Sequence, residues 1–541
     1  MKSKWTLIIS LILVICFMGS MLSGCVVQPQ QTNSDDSRGD TIDDGTKTYV
    51  YSVNILGAEK EWLKDEKLKR WREQFKIEFN FLPVNWNDWG QKVRIWMSSG
   101  DIPDIVWIDF GTSMAQDYYS WVEAGLIREL KGTEKYQYVH EQLEKMKLDD
   151  ILAVDGKKYL WPCTRDATIV DNISNRGFLY RRDWAEKLGL AKDDNTYTWD
   201  EMVEFARQCI EKDPGNAGKN KIAGMGCQSW AWPSSMGIEQ MTGGITGANG
   251  YFLTANGYEW NARAPEYLEG IKIVKQLYDS GIIWVDQPLA KGDEAVSKFL
   301  AGELAILYDN VFPDQLAWFR KAMKENIPGF EYDDIQFMKV KSPNGRFVGI
   351  KNTEYWCISV FSAEMSDAKF DRLMKAWDWM LSPEGYYTRQ IGIRGIDWEF
   401  EGDGVKYLWP YNSETQRYER PADYPLDLGR DAYLSIGVTE GFGFINPNYE
   451  GCKSGKDAYD YCIFLRDNGV LVETDYNIAL FRAENKDKYG SFARDISDKV
   501  IQIIIDSKYE DVEKEWNAFL ESKKAQVDLV IKELNDGLLG K

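Results

Sequence analysis

From Thr48 onward, short apolar runs of strand character alternate with amphipathic stretches of helical period, and this alternation restricts the fold more than any other feature. Thr48–Leu56 is a β-rich run that Gly57 breaks. Glu59–Phe75 sets Leu68, Trp71 and Phe75 at helical spacing among charges. Ile77–Val84 is strand-like again. Asp88–Ser99 puts Trp89, Val93, Trp96 and Met97 on one helical face, and Gly100 supplies a stop. Ile105–Ile108 is a short apolar strand, and Ser113–Ala124 is helical up to Gly125. The order β-α-β-α-β-α predicts an α/β fold with a mainly parallel sheet flanked by helices.

The middle and the end of the chain continue in the same style. Thr198-Trp199-Asp200-Glu201 is a capping box opening a helix that runs to about Lys212. Glu266–Ser280 is another helix, closed by Gly281. Ser297–Ala301, Gly302 and Leu304–Tyr308 read as helix, turn and strand. Ser382-Pro383-Glu384 starts a helix with Ser as cap and Pro in the first turn. Ser491–Ile505 and Asp511–Asp536 are long and helical. A chain of 541 residues exceeds one domain of about 100–200 residues, so two large lobes or several domains are expected.

Composition removes several function classes. The net charge of −20 repels nucleic acid, and there is no basic cluster to offset it. His140 is the single histidine and lies in the charged stretch Thr133–Lys147, which leaves no multi-histidine metal site. A Ser-His-Asp arrangement would have to use His140, and nothing around it suggests one. No C-x-x-C occurs among the eight cysteines, so zinc and thioredoxin-like chemistry are not indicated. Cys452–Cys462 and Cys209–Cys227 are disulfide candidates by proximity alone, with buried thiols as the alternative. The 22 Trp and 29 Tyr residues serve mostly as core, while a minority suit stacking on the apolar face of a sugar ring.

The first residues set the compartment. Lys2 and Lys4 precede an apolar run from Trp5 to Met21, and Leu22-Ser23-Gly24-Cys25 follows. This resembles a bacterial lipoprotein signal, with residues 1–24 removed and Cys25 lipidated. The run is marginal for a bilayer span of about 20 residues. Removal of two lysines and no acids changes the charge from −20 to −22. Residues 25–47 are polar and read as a disordered tether. The expected location is therefore the extracellular face of the cell membrane, held by a lipid.

Five short motifs in order carry a family resemblance. They are Gly100-Asp101-Ile102-Pro103-Asp104-Ile105-Val106, Asp155-Gly156-Lys157-Lys158-Tyr159 with Pro162, Tyr180-Arg181-Arg182-Asp183-Trp184, Tyr197-Thr198-Trp199-Asp200-Glu201, and Phe299-Leu300-Ala301-Gly302-Glu303-Leu304-Ala305. With them the chain resembles an extracellular solute-binding lipoprotein of an ABC importer, of the oligosaccharide-binding type. The resemblance implies a two-lobed periplasmic-binding-protein-like fold of type II, with ligand held in a cleft between lobes joined by hinge crossings. It assigns 48–164 and 338–385 to the N-terminal lobe, and 165–337 and 386–541 to the other. Its implied partners are an oligosaccharide and the permease subunits, with a monomeric chain, no enzyme activity and no cofactor. Some relatives bind calcium near Asp213, Asn216 and Asn220, but this chain lacks the other carboxylates there, so no metal is expected.

Ligands of open α/β sheets bind outside the carboxyl ends of the strands, which selects the candidates. Asn54 and Trp86 follow the first two strands, and Trp107 and Asp109 end the third. Arg165 and Asp166 fall at the first crossing. Trp230 and Trp232 sit in an aromatic loop after a strand, Asp309 and Asn310 follow Leu304–Tyr308, and Arg394 is flanked by glycines. Two other readings remain open at this point. A secreted polysaccharide-active enzyme would need two carboxylates about 5–10 Å apart, and no motif marks such a pair. The same fold with a peptide ligand is the other, since fold does not fix ligand.

Overall fold

The computed structural model describes residues 42–540, apart from 57–64, 86–87, 110–113, 146–152, 165–175, 219, 247–249, 311–312, 351–354, 403, 414–416, 419–452, 473–474, 476, 479–480 and 482–485. Cys25 lies outside them.

Two separate sheets organise the chain. The first contains β1 (Tyr49–Leu56), β2 (Ile77–Val84), β3 (Ile105–Ile108) and β4 (Leu160–Thr164). The second begins with β5 (Arg176–Arg181), β6 (Thr196–Thr198) and β7 (Ala223–Cys227). A hairpin of β8 (Tyr251–Thr254) and β9 (Gly257–Trp260) stands apart from both. The second sheet continues with β10 (Leu304–Asn310), β11 (Ile335–Lys341) and β12 (Phe347–Ile350), and β13 (Tyr355–Phe361) returns to the first. Their orders are β2-β1-β3-β13-β4, and β18-β12-β11-β5-β10-β7, where β18 is Gly469–Val472. Two small hairpins lie between them in sequence, β14 (Trp398–Glu401) with β15 (Gly404–Tyr407), and β16 (Tyr411–Asn412) with β17 (Arg417–Tyr418).

The β-α-β order gives the expected parallel pairing of β1 with β2 and with β3, while β13 runs antiparallel to β3 and β4. Tyr49, Tyr51, Val53 and Ile55 pack with Trp71 and Trp377 in one buried cluster, and Val106 and Ile108 pack with Val93 and Tyr118 in another. Strands alternate sides, so one sheet feeds two cores. In the second sheet Tyr180 and Met338 face a cluster that reaches Trp516, while Leu179 and Phe337 face Phe319 and Tyr461. Each cluster belongs to one sheet and its flanking helices.

The capping box forms as read: Thr198 accepts from the Glu201 amide, and Glu201 accepts from the Thr198 amide. Ser382 likewise caps Pro383–Gln390. The long terminal helices are Lys486–Asp506 and Val512–Leu538.

Two expected crossings move. The return near residue 338 falls inside β11, whose ladder with β5 runs from Ile335 to Met338 in the second sheet. The first sheet is rejoined only at Tyr355, after the turn into β12. An apolar strand reads the same in either sheet, which is why sequence placed it wrongly. The crossing near 385 falls inside the helix Pro383–Gln390, whose Arg389 carbonyl accepts from Lys67 of the first body at 3.3 Å.

Candidate functional site

The edges where parallel strands end define the site. In the first sheet β1, β2 and β3 run parallel, and β4 shares their direction through β13. All four therefore end at one edge, carrying Asn85, Asp109 and Thr164. In the second sheet β7 and β10 run parallel, and Arg176 at the start of β5 stands opposite Asn310 at the end of β10. The chain thus leaves the first sheet at its carboxyl edge and enters the second at its carboxyl edge. The twelve steps from Thr164 to Arg176 reach at most about 40 Å, which limits how far apart the two edges can lie.

At the first edge Asp109 is the residue after β3, half-buried, with its carbonyl accepting from the Met114 amide at 3.0 Å. Asn85 and Asp88 bond each other by three contacts of 2.8–3.1 Å that involve their side chains. Trp86 itself lies outside the described residues, as do Arg165 and Asp166.

Two expected contacts at this edge are core instead. Asn54 is fully buried within β1, donating to the Trp107 carbonyl at 2.8 Å and accepting from its amide at 2.7 Å. Trp107 is buried too, its ring 4.6 Å from that of Trp89. Both strands end where the apolar pattern ends, and Asn54 and Trp107 lie inside them rather than beyond them, so both side chains turn into the interior.

At the second edge the loop after β7 makes a single helical turn, Ser229–Ala231, that contains Trp230. Trp232 is buried, joined by a cis peptide to Pro233, and its ring lies 6.5 Å from Tyr278. Its indole N–H has no acceptor among the described residues. Asn310 is half-buried at the end of β10. Asp309, expected in the cleft, is fully buried: it accepts from the Asn310 amide at 2.7 Å and from Gln315 at 3.2 Å. Burial pushes its pKa up to about 7, and the bonds from Asn310, Gln228 and Gln315 only partly offset this.

Arg394 is substantially exposed. It pairs with Glu399 at 3.0 Å and Glu384 at 3.6 Å and lies over the Phe400 ring. These contacts tie the β14–β15 hairpin to the preceding helix and give Arg394 a structural task. Asp213 turns both carboxylate oxygens to the amides of Ala217 and Gly218, which closes its loop.

Sequence reasoning missed the residues that shape the second edge. Gln287 donates to the Cys227 carbonyl and accepts from the Cys227 amide, each at 2.9 Å. Gln228 donates to Asp293 at 3.1 Å. A glutamine sixty residues from its strand carries no local signal of burial.

The chain belongs to the bacterial extracellular solute-binding protein family, whose model matches residues 68–391. Among curated relatives it is 22% identical to Lipoprotein LipO of Bacillus subtilis over 439 residues, which is 80% of this chain and 81% of that one. It is 24% identical to the fructooligosaccharide ABC transporter substrate-binding protein FusA of Streptococcus pneumoniae, over 36% of this chain and 37% of FusA. Its fold matches the alginate-binding protein AlgQ2 with a TM-score of 0.62 at 14% identity, over 90% of this chain and 97% of that one. FusA in complex with kestose matches with a TM-score of 0.60 at 15% identity, over 92% and 100%. The architecture is the two-lobed solute-binding fold, and each sheet is the centre of a lobe. No described helix is long and apolar enough to cross a membrane.

Proposed function

We propose that this protein captures an oligosaccharide outside the cell and delivers it intact to the permease of an ABC importer. The observation that carries the reading is the topology of the two carboxyl edges. Each lobe ends its parallel strands on the side of the connecting segment, and each edge holds a half-buried polar residue, Asp109 in one and Asn310 in the other. A sugar held between them would be gripped from both sides, and a hinge motion of the two lobes would close them on it. Trp86 and Trp230 are the aromatic candidates for stacking, while Trp232 packs in the core of its lobe. The named ligands of relatives support sugar: fructooligosaccharide for FusA and alginate for AlgQ2. Lipidation at Cys25 would keep the protein beside the permease, in line with the lipoprotein name of the Bacillus relative.

The test is a thermal-shift screen of the mature protein, without its lipid, against plant and algal oligosaccharides. A ligand that binds only the folded state raises the melting temperature when present well above its Kd. A shift with one sugar class, and recovery of that sugar intact, is the expected result. No shift across the panel moves the reading to a peptide ligand. Recovery of shortened sugar makes the protein an enzyme and ends the proposal.

A further inference from the structure

We propose that Gln228 is the positioning residue of the second edge: its side-chain amide ties the loop after β7 to the end of β10, so that Trp230 and Asn310 are presented to a sugar as one unit. The proposal rests on the sugar-binding reading above and names what holds that edge in shape. Gln228 is buried and is the residue from which the turn Ser229–Ala231 starts. Its backbone N–H donates to the Tyr308 carbonyl at 3.4 Å, and its own carbonyl accepts from the Ala231 amide at 2.9 Å, which closes the turn containing Trp230. Its side chain donates to Asp293 at 3.1 Å and also bonds the Asp309 carboxylate. A primary amide carries two N–H donors, so one NH2 serves both acids. Asp309 in turn accepts from the Asn310 amide at 2.7 Å and from Gln315, in the helix Pro313–Asn326, at 3.2 Å.

Both ends of this bridge give up stability that the fold alone would keep. Asp293 occupies the N-cap position of the helix Glu294–Leu300, where an aspartate ordinarily accepts from amides of the first turn. Its side chain makes no cap bond there, and its carboxylate goes to Gln228 instead. Asp309 is fully buried, and burial pushes its pKa up to about 7. An asparagine would fill the same space without a charge to desolvate. Charge kept at such a cost beside a candidate cleft marks a functional arrangement. The root of the loop is fixed independently, because Gln287 brackets Cys227 through both its amide and its carbonyl. The loop is free to move only beyond Cys227, and Gln228 is the side chain that joins that part to β10.

The bridge works by donation to an ionised Asp309. Asp293 faces that carboxylate from the loop before Glu294–Leu300 and adds to the effect of burial. The free thiol of Cys227 lies at the end of β7, and Arg176 stands opposite Asn310 at the start of β5. With Asp309 ionised, Gln228 and Gln315 both donate to it. A protonated Asp309 must place an O–H of its own, and one of the two glutamines then loses its acceptor. Asp309→Asn does the same permanently. It keeps the shape and the acceptor for the Asn310 amide, but it sets an NH2 against the NH2 of Gln228. Gln228 can answer only by turning its amide over, which withdraws the NH2 from Asp293.

The experiment uses the mature protein at pH 8, where Asp309 is ionised, and has two readouts. Hydrogen exchange without ligand follows the amides of 229–232 and of 306–310. Gln228→Ala should cost protection in both segments; a loss confined to 229–232 overturns the proposal. Calorimetry with kestose, or with the oligosaccharide that stabilises the wild type in the screen, gives Kd. Gln228→Ala should raise it about tenfold, as expected for losing a hydrogen bond to a charged group. Asp309→Asn should raise Kd by a similar factor while unfolding at higher urea than wild type, whereas a merely structural role moves stability and affinity in the same direction. The wild-type Kd should climb toward that of Asp309→Asn as pH is lowered to 5.5, and the variant's own Kd should stay level. Wild-type affinity in Asp309→Asn at pH 8 overturns the proposal even if Gln228→Ala does not fold. A wild type that binds no sugar of the panel ends the sugar reading instead, and the exchange map then decides whether Gln228 joins the two strand ends.

Discussion

Asn54 takes over the ladder between β1 and β3 where the two strands part, bracketing Trp107 through both its amide and its carbonyl. The backbone register of these strands holds only Val53 opposite Ile105. Two residues further on, the side-chain amide supplies the bonds that a neighbouring backbone would have made. The second lobe repeats the device. Met225 bridges Ile283, and two residues later the Gln287 amide brackets Cys227. In both lobes a buried amide lets a strand diverge from its neighbour at the carboxyl edge without leaving peptide groups unsatisfied.

Asn54→Ala should therefore destabilise the fold rather than weaken ligand binding. It leaves the Trp107 amide buried without this acceptor and removes one donor from its carbonyl, which Trp89 still bonds at 2.9 Å. Each unsatisfied buried group costs about 1–3 kcal/mol, so a loss of about 2–4 kcal/mol is expected in urea unfolding. Affinity measured well below the melting temperature should stay within about twofold of wild type, a difference of about 0.4 kcal/mol. A large affinity loss with unchanged stability would return Asn54 to the ligand site.

The alternation of strands and helices, the capping box at Thr198 and the Ser382 cap were legible because each depends on neighbours in sequence. The assignment of β11 to its lobe was not, because Ile335–Lys341 has the same apolar pattern whichever sheet it joins. The candidate site was legible as a set of strand ends but not residue by residue. Asp109 and Asn310 fall at half-buried edge positions, while Asn54, Trp107 and Asp309 turn inward, since a shift of one residue in a strand reverses the face. Gln287 gave no signal, as its burial follows from a contact sixty residues away.

Asp309→Asn should change the pH dependence of stability. The folded-state pKa of Asp309 is raised from 3.8 to about 7 by burial. The neutral acid is thus favoured in the fold, and its contribution is fully present below pH 3.8 and lost as pH rises through 7. The stability gain of Asp309→Asn over wild type should grow between pH 4 and 7 and level off above. Its plateau is on the order of a few kcal/mol. Parallel urea curves at pH 4, 5.5, 7 and 8 check this; a constant difference would show that Asp309 titrates normally.

Asp43→Asn should act in the opposite pH range. Asp43 is nearly fully buried against Arg372, which bonds both its oxygens at 2.5 and 2.9 Å, and Lys375 adds a third contact at 3.1 Å. Burial alone would raise its pKa, but the Arg372 bonds and the Gly45 amide outweigh this and hold it at about 2. Its contribution is present above pH 3.8 and lost as pH falls through 2. Breaking a buried pair costs about 3–5 kcal/mol, so the variant should be less stable at pH 7 and should converge on wild type near pH 2. The residues before Tyr49 should also become sensitive to limited proteolysis. Protection equal to wild type would mean that other contacts hold this segment.

Asp109→Ala tests the ligand edge itself. The bond from the Met114 amide uses the main-chain carbonyl of Asp109 and survives the change, so the loop after β3 keeps that anchor. A carboxylate accepting from a sugar hydroxyl contributes about 1.5–3 kcal/mol. Its loss should raise Kd by about 10–100-fold, measured by calorimetry with whichever oligosaccharide stabilises the wild type. The melting temperature without ligand is measured beside it, so that a loss of affinity is separated from a loss of stability such as that expected for Asn54→Ala. Asp109 as a residue stands half-buried, with one carboxylate oxygen buried, at the end of a strand whose three preceding side chains are buried. An unchanged Kd would place the ligand against other residues of the two edges, with Asn310 the next to be replaced.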